Sequence, residues 1–440
     1  MKRKKLMKFF KLLSVLLFIS ANSQAEENPD LNPASSGGAV FVQTPRSDVD
    51  KFLNSKKWKR GRNVKADGTP FFIFVGDGEI SANRDSKTIH DARYNAFLEA
   101  FNEAKTEYVK YLGLQITTEL SAKTYENNMP DAMAEDAIKT AVGTETGQFD
   151  KLKKLISVKL DNALKNEGYD PNLADSKKEE IRKKVLRSRE ISNFFTATAQ
   201  STISGFQSYK IFEGAGSGER GSITVIALWS PKLNQLAQAI RGGSTNVPTG
   251  AAQKPIEEQL NLDDANSLLA SFGTNMYVNE NGNLVLVSYG HASPSIENDP
   301  GSLSTACDIA TDRGYANIVQ YANEQIIYEN MRKDIDKAET FEQAGAQAYE
   351  SMQGREYNNF IKSNSKMNLV GQNVIGTYPI KNPSLYSATD CVAVVEWSAE
   401  GVSAANQSKK EMQSSGSNSG GSANVGSQST TTNKAPSDDF

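Results

Sequence analysis

The sequence predicts an α+β protein of two tandem units, each an Ala-rich helix packed on a small, mostly antiparallel sheet, with a helical insertion in the first. The prediction rests on three blocks that occur twice in the same order, the signature of an internal repeat. Phe71–Ser81 (FFIFVGDGEIS) sets against Asn283–Ser293 (NLVLVSYGHAS), with Gly78 opposite Gly290 and Ser81 opposite Ser293. Residues 96–116 align without a gap on 306–326, with identities at Ala96/Ala306, Ala100/Ala310, Val109/Val319, Tyr111/Tyr321, Gln115/Gln325 and Ile116/Ile326. Ile223–Ser230 (ITVIALWS) matches Cys391–Ser398 (CVAVVEWS), and a Gly-bearing apolar stretch precedes each, Ile203–Phe206 and Leu369–Gln372.

Length and composition agree with that architecture. A chain of 440 residues has room for two or three domains. With 38% hydrophobic residues and 32 Gly it can build a core, which excludes a wholly disordered, collagen-like or multi-span membrane chain. Two His (His90, His291) and two Cys (Cys307, Cys391) are too few for zinc clusters or a dense disulfide scaffold.

Taken in order, residues 1–25 read as a signal peptide. Lys2, Arg3, Lys4, Lys5 and Lys8 form a positive n-region, Leu12–Ile19 is a short apolar run, and Ser23-Gln24-Ala25 places cleavage before Glu26. The run is shorter than the ~20 residues a spanning helix needs, so no integral membrane segment is expected once it is removed. Its loss takes six Lys/Arg and no acid, leaving 43 basic against 52 acidic residues, a net charge of −9. An acidic exported chain is not expected to bind nucleic acid, which requires clustered Lys/Arg. Residues 26–65 read as a polar lead-in whose basic stretch (Lys51, Lys56, Lys57, Lys59, Arg60, Arg62) is a solvated segment or a partner-docking patch.

The first unit spans 66–242. Ala92, Ala96, Ala100 and Ala104 recur every four residues, a smooth stripe that lets a helix lie close on a sheet. Residues 117–191 form the helical insertion: Leu152, Leu155, Ile156, Leu160 and Leu164 make an amphipathic stripe ending at Gly168, and Ser176–Glu179 has capping-box form. The insertion serves as an arm toward a neighbour or packs back on its own domain. Gly214, Gly216, Gly218 and Gly221 mark a hairpin loop between two strands. Residues 243–280 read as a linker with a short helix over Asp263–Ser271, stopped at Gly273. The second unit spans 281–402, with Ala306, Ala310 and Gly314 repeating the stripe. From 403 to 440 the chain is Ser, Gly, Asn, Gln and Thr, the composition of a disordered tail.

Motifs with chemistry are sparse. Gly216–Gly221 matches GxGxxG, but a strand follows where a phosphate loop needs a helix. Asp77 and Glu79 close a strand where a glycosidase pair is conceivable, with solvated loop acids as the plainer reading. His90-Asp91 and His291 lack a G-x-S-x-G elbow or an ordered Ser/His/acid pattern. No metal-ligand spacing occurs, so no catalytic, cofactor or metal residue is assigned. In an oxidising compartment Cys307 and Cys391 either pair, closing a loop of about 85 residues worth roughly 4–5 kcal/mol, or stay as two buried thiols.

A strand, an Ala-rich helix (Ala92–Ile116; Ala306–Ile326) and a late hairpin ending in an aromatic strand resemble the LPP20-like and flagellar T-ring N-terminal type of envelope domain, over 66–242 and 281–402. The resemblance implies no catalytic residue set. The expectation is an exported, non-enzymatic envelope protein, periplasmic or secreted, with a structural or assembly role and a protein partner, an envelope component or copies of itself. The alternatives are a glycan-directed hydrolase using Asp77 and Glu79, or a glycan-binding or adhesive module with Tyr94, Tyr209 and Trp229 as stacking platforms.

Overall fold

The structure is a computed structural model and describes residues 39–42, 45–125, 159–186, 188, 204–214, 221–322, 369–383 and 385–416. It is α+β with two sheet units, as the duplicated blocks predict. The first unit comprises β1 (Ala39–Val42), α1 (Pro45–Ser55), β2 (Gly61–Val64), β3 (Pro70–Glu79), α2 (Ile89–Tyr125), α3 (Asp175–Leu186), β4 (Gln207–Gly214), β5 (Ser222–Trp229) and α4 (Pro231–Gly242). Two short helices follow, α5 (Ile256–Gln259) and α6 (Ala265–Leu269). The second unit comprises β6 (Gly273–Val278), β7 (Leu284–Ala292), α7 (Pro300–Ala322), β8 (Gln372–Ile380), β9 (Asp390–Trp397) and α8 (Ala399–Gly416).

The second sheet runs β6-β7-β9-β8 and the first β1-β4-β5-β3-β2, so β2, β3, β5 and β4 match β6, β7, β9 and β8 in order. Every pairing is antiparallel except that of β1, which adds to β4 in parallel. The register fixes the correspondence. Phe72 lies opposite Trp229 and Leu286 opposite Trp397, which makes Gly76, not Gly78, the counterpart of Gly290. The sequence alignment of this block was displaced by two residues. A shift of two leaves every side chain on its original face, so alternation does not expose the error.

Local chemistry explains the copies. The Ala stripes are buried beneath the sheets, Ala96, Ala100 and Ala104 in one helix and Ala306 and Ala310 in the other. Each indole at the end of the last strand donates to a carbonyl just ahead of the preceding strand, Trp229 Nε1 to Ser204 O at 3.1 Å and Trp397 Nε1 to Val370 O at 2.8 Å. The residue after each carbonyl is a glycine with positive φ, Gly205 at 94° and Gly371 at 99°. The Ser of each Trp-Ser pair then caps a helix: Ser230 Oγ accepts from Leu233 N at 3.2 Å and Ser398 Oγ from Gly401 N at 3.1 Å.

Several boundaries differ from the sequence expectation. Residues 39–64, expected within a polar lead-in, supply the edge strands β1 and β2 and helix α1, whose Val49 and Leu53 are buried. Residues 243–280, expected as a linker with one short helix, hold two helices and strand β6. Within 403–440, expected as a disordered tail, α8 continues to Gly416; the remainder lies outside the described residues. The insertion begins as an unbroken continuation of α2 to Tyr125, and Gly168 ends a helix with φ 77° and a bond from Tyr169 N to Leu164 O. Helix α3 starts at Asp175, which puts Ser176 inside the helix rather than at its cap. Leu152, Leu155 and Ile156 lie outside the described residues, as do Gly216 and Gly218. Among the described residues no helix is long and apolar enough to cross a membrane.

The units share one core. Ile226, Leu228, Leu233 and Leu236 of the first pack in one cluster with Leu286, Ile318 and Trp397 of the second. Polar bonds stitch the seam: Met276 N donates to Gln207 Oε1 at 3.1 Å, Ser208 Oγ to Phe272 O at 2.8 Å, and Tyr321 Oη to Leu233 O at 2.8 Å.

Candidate functional site

Ionisable side chains converge at one place, the buried seam between the start of α2 and the far end of the second sheet. His90 and Arg93 stand one turn apart on α2, Glu213 near the end of β4, His291 near the end of β7, and Asp390 at the start of β9. None of the five is more than 1% exposed. Tyr386 and Ala388, on the loop leading into β9, and the chain after α6 close the cluster.

Arg93 is gripped on two sides. Its Nε and Nη2 each donate to Glu213 at 2.8 Å, a bidentate pair, and Nη2 also reaches Leu269 O at 2.7 Å. Its guanidinium lies over the rings of Phe272 and Tyr386, 5.0 and 4.5 Å from their centroids. Tyr386 Oη donates to Glu213 Oε1. Burial alone lowers the Arg93 pKa, and Glu213 outweighs it, so the guanidinium stays charged.

Asp390 sits between the two histidines. Its Oδ2 is 2.7 Å from His291 Nδ1 and 3.3 Å from His90 Nδ1, while Oδ1 has no hydrogen-bond partner among the described residues. Burial would raise the Asp390 carboxyl; His90, His291 and Arg93 outweigh it and hold the carboxyl below its ordinary value. His90 Nε2 faces Ala388 O at 3.1 Å and Nδ1 receives Arg93 Nη1 at 3.1 Å, the geometry of a neutral ring protonated at Nε2. Burial lowers its pKa, consistent with that state. Both nitrogens of His291 face acceptors, Asp390 and Ser271 O, and its ring stacks on Phe272 with centroids 4.2 Å apart.

This network has the composition of a catalytic cluster and the burial of a core. Every histidine nitrogen is occupied by a protein partner, and no group of three or more His, Cys, Asp or Glu among the described residues is placed to hold a metal ion. The arrangement fixes two elements of the first unit, α2 and β4, and two of the second, β7 and β9, relative to each other. It is also absent from the repeat: Asp77 stands where His291 does, Ser222 where Asp390 does, and Leu303 where Arg93 does. The charges belong to the seam, not to the duplicated unit.

Other residues singled out in the sequence fall elsewhere. Asp77 is tied to Arg46 and accepts from Thr224 Oγ1 at 2.6 Å, and its strand neighbour Glu79 receives no counterpart role in the second unit, where Ser293 takes its place. Asp91, beside His90 in sequence, pairs with Arg313 at 2.6 Å instead. Tyr94, Tyr209 and Trp229, named as glycan-stacking platforms, are all buried, so none offers a ring face to solvent; Tyr94 donates to Asn317 Oδ1 at 2.9 Å across the seam. Cys307 on α7 and Cys391 on β9 form a disulfide with Cα atoms 5.2 Å apart, binding the helix to its sheet. Sequence reasoning missed the network because its members are scattered over 300 positions. The available signal was that the chain's two histidines fall at the opening of one repeat helix and the end of the other repeat's strand.

The family described as Domain of unknown function (DUF6844) matches residues 146–242. No curated protein matches the chain. Among solved structures, the crystal structure of hypothetical protein FTT1539c from Francisella tularensis is similar at 15% identity, covering 83% of this chain and 96% of that one, with a TM-score of 0.44.

Proposed function

We propose that this protein is an exported, non-enzymatic component of the cell envelope, periplasmic or secreted, whose tandem α+β units serve a structural or assembly role. The observation that carries the reading is the seam network. The residue types that run acid–base chemistry, both histidines with Asp390, Arg93 and Glu213, are bonded to one another without access to solvent, so they hold the units together rather than meet a substrate. Two features support export. Residues 1–25 have the charge and apolar pattern of a signal peptide, and Cys307 pairs with Cys391, a bond that persists in oxidising compartments. The resemblance to LPP20-like and T-ring N-terminal domains accords with the same role. The hydrolase alternative loses its motive, since Asp77 is engaged by Arg46 and Thr224.

The test is fractionation of the source cells with N-terminal sequencing of the recovered protein. A chain beginning at Glu26 in the periplasmic or culture fraction, with no free thiol, is the expected result. A chain that keeps Met1 and reduced cysteines in the cytosol contradicts the proposal.

A further inference from the structure

The internal seam supplies a template for contacts between copies. Inside the chain, the start of β4 docks on β6 through Gln207 and Ser208, and Tyr321 of α7 reaches across to Leu233. The repeat gives each partner an equivalent at an outer edge of the molecule. β4 corresponds to β8, with Ser204 and Ser208 matched by Val370 and Val374; β6 corresponds to β2, with Val278 matched by Val64; Tyr321 corresponds to Tyr111. β8 ends the second sheet and β2 ends the first.

Three of the five exposed large apolar residues among the described residues fall on or beside those two edges, while Ile296 and Ile309 lie elsewhere. Val64, Val370 and Val374 are 50%, 40% and 38% exposed, and their counterparts Val278, Ser204 and Ser208 are buried at 1%, 3% and 2%. Tyr111, the counterpart of the seam-crossing Tyr321, is half-buried beside β2. Lys56, Lys57, Lys59, Arg60 and Arg62 lead into and occupy β2, with Arg60 paired to Asp50 at 2.8 Å.

We propose that copies of this chain associate head to tail, the outer edge of β8 in one copy docking on β2 of the next as β4 docks on β6 within the chain. The inference rests on the structural reading above and names its partner: a second copy of this chain. The contact joins two different surfaces, so it propagates into a linear array or closes into a ring, rather than stopping at a symmetric dimer. It also covers β8, whose outer edge pairs with no other strand among the described residues.

The experiment is sedimentation velocity on the purified chain across a concentration series, with Val64→Asp and Val374→Asp as surface variants whose retained disulfide and unchanged melting temperature report an intact fold. The wild type is expected to form species larger than dimers as concentration rises, and each variant alone to sediment as a monomer. An equimolar mixture of the two variants is expected to give a 1:1 dimer, because each keeps one competent edge. A second measurement uses Arg60→Cys with Val374→Cys, the counterparts of Thr274 and Ser208, whose O and Oγ lie 3.3 Å apart at the internal seam. The double variant is expected to give a ladder of disulfide-linked multimers under oxidation. A wild type that is monomeric throughout, a Val64→Asp variant that assembles as the wild type does, or a mixture that does not associate overturns the proposal. Its failure is distinct from failure of the export reading: a periplasmic monomer refutes only head-to-tail assembly, and a cytosolic chain with Met1 intact refutes only export.

Discussion

Gly76 and Gly290 hold the same position in the two sheets. A Cβ on either would stand 2.0 or 1.9 Å from a helix carbonyl oxygen, that of Ala100 or of Ala310. Each sheet therefore meets its helix backbone to backbone, and only glycine permits the approach. Gly290→Ala or Gly76→Ala forces helix and sheet apart and is expected to cost at least the ~1–3 kcal/mol typical of overpacking. Gly242→Ala, at a position with open space around it, is expected to be neutral. Urea unfolding of the three variants checks this, and a Gly290→Ala protein as stable as the wild type would refute the flush packing.

Breaking the buried Arg93–Glu213 pair leaves an uncompensated charge without water. Glu213→Gln is expected to destabilise the chain by about 3–5 kcal/mol. The paired replacement Arg93→Met with Glu213→Leu is expected to recover much of that loss, since the desolvation penalty then disappears. A chemical-denaturation cycle measures the coupling directly.

Stability should fall in acid in two steps, both of the same sign. His90 is neutral in the fold with its pKa lowered from 6.5, so the unfolded chain takes up its proton first and stability declines as pH drops below about 6.5. Asp390, lowered from 3.8, adds a second decline as pH falls below that value. Denaturation midpoints from pH 8 downward follow both steps. His90→Gln, which keeps a donor toward Ala388 O, is expected to flatten the first and to shrink the second, because His90 is one of the groups that hold Asp390 down. At the alkaline end Tyr94, pushed up to about 12 by burial, adds stability that is lost as pH rises from 10 toward that value.

Reduction of Cys307–Cys391 reopens a loop spanning 84 positions. The chain-entropy account puts the cost at roughly 4–5 kcal/mol. Melting with and without dithiothreitol, or of Cys307→Ser, checks it; an unchanged melting temperature would mean that the helix is held to β9 by packing alone.

What the sequence revealed is what local periodicity can carry. The Ala stripes, the Trp-Ser strand ends and the glycines at 205 and 371 recur because each serves a contact inside one unit, and each was visible as a repeated string. The edge strand Gly61–Val64 was not, because it reads Gly-Arg-Asn-Val in a run of lysines and arginines, and its strand state comes from pairing with Phe71–Ile73. β6 was hidden for the same reason, a sheet edge whose burial depends on the other unit. The His–Asp–His cluster was the least legible. His90, His291 and Asp390 are neighbours only once the second sheet and the first unit's helix have been assembled, and they occupy positions at which the repeats differ.

The central claim is that two copies of one folding unit are fused into a single body by a sealed charge network. Differential scanning calorimetry of the disulfide-intact chain tests it most directly. One endotherm whose calorimetric enthalpy equals its van't Hoff enthalpy is the predicted result. Two resolved transitions, or a calorimetric enthalpy near twice the van't Hoff value, would show the units melting independently and contradict it.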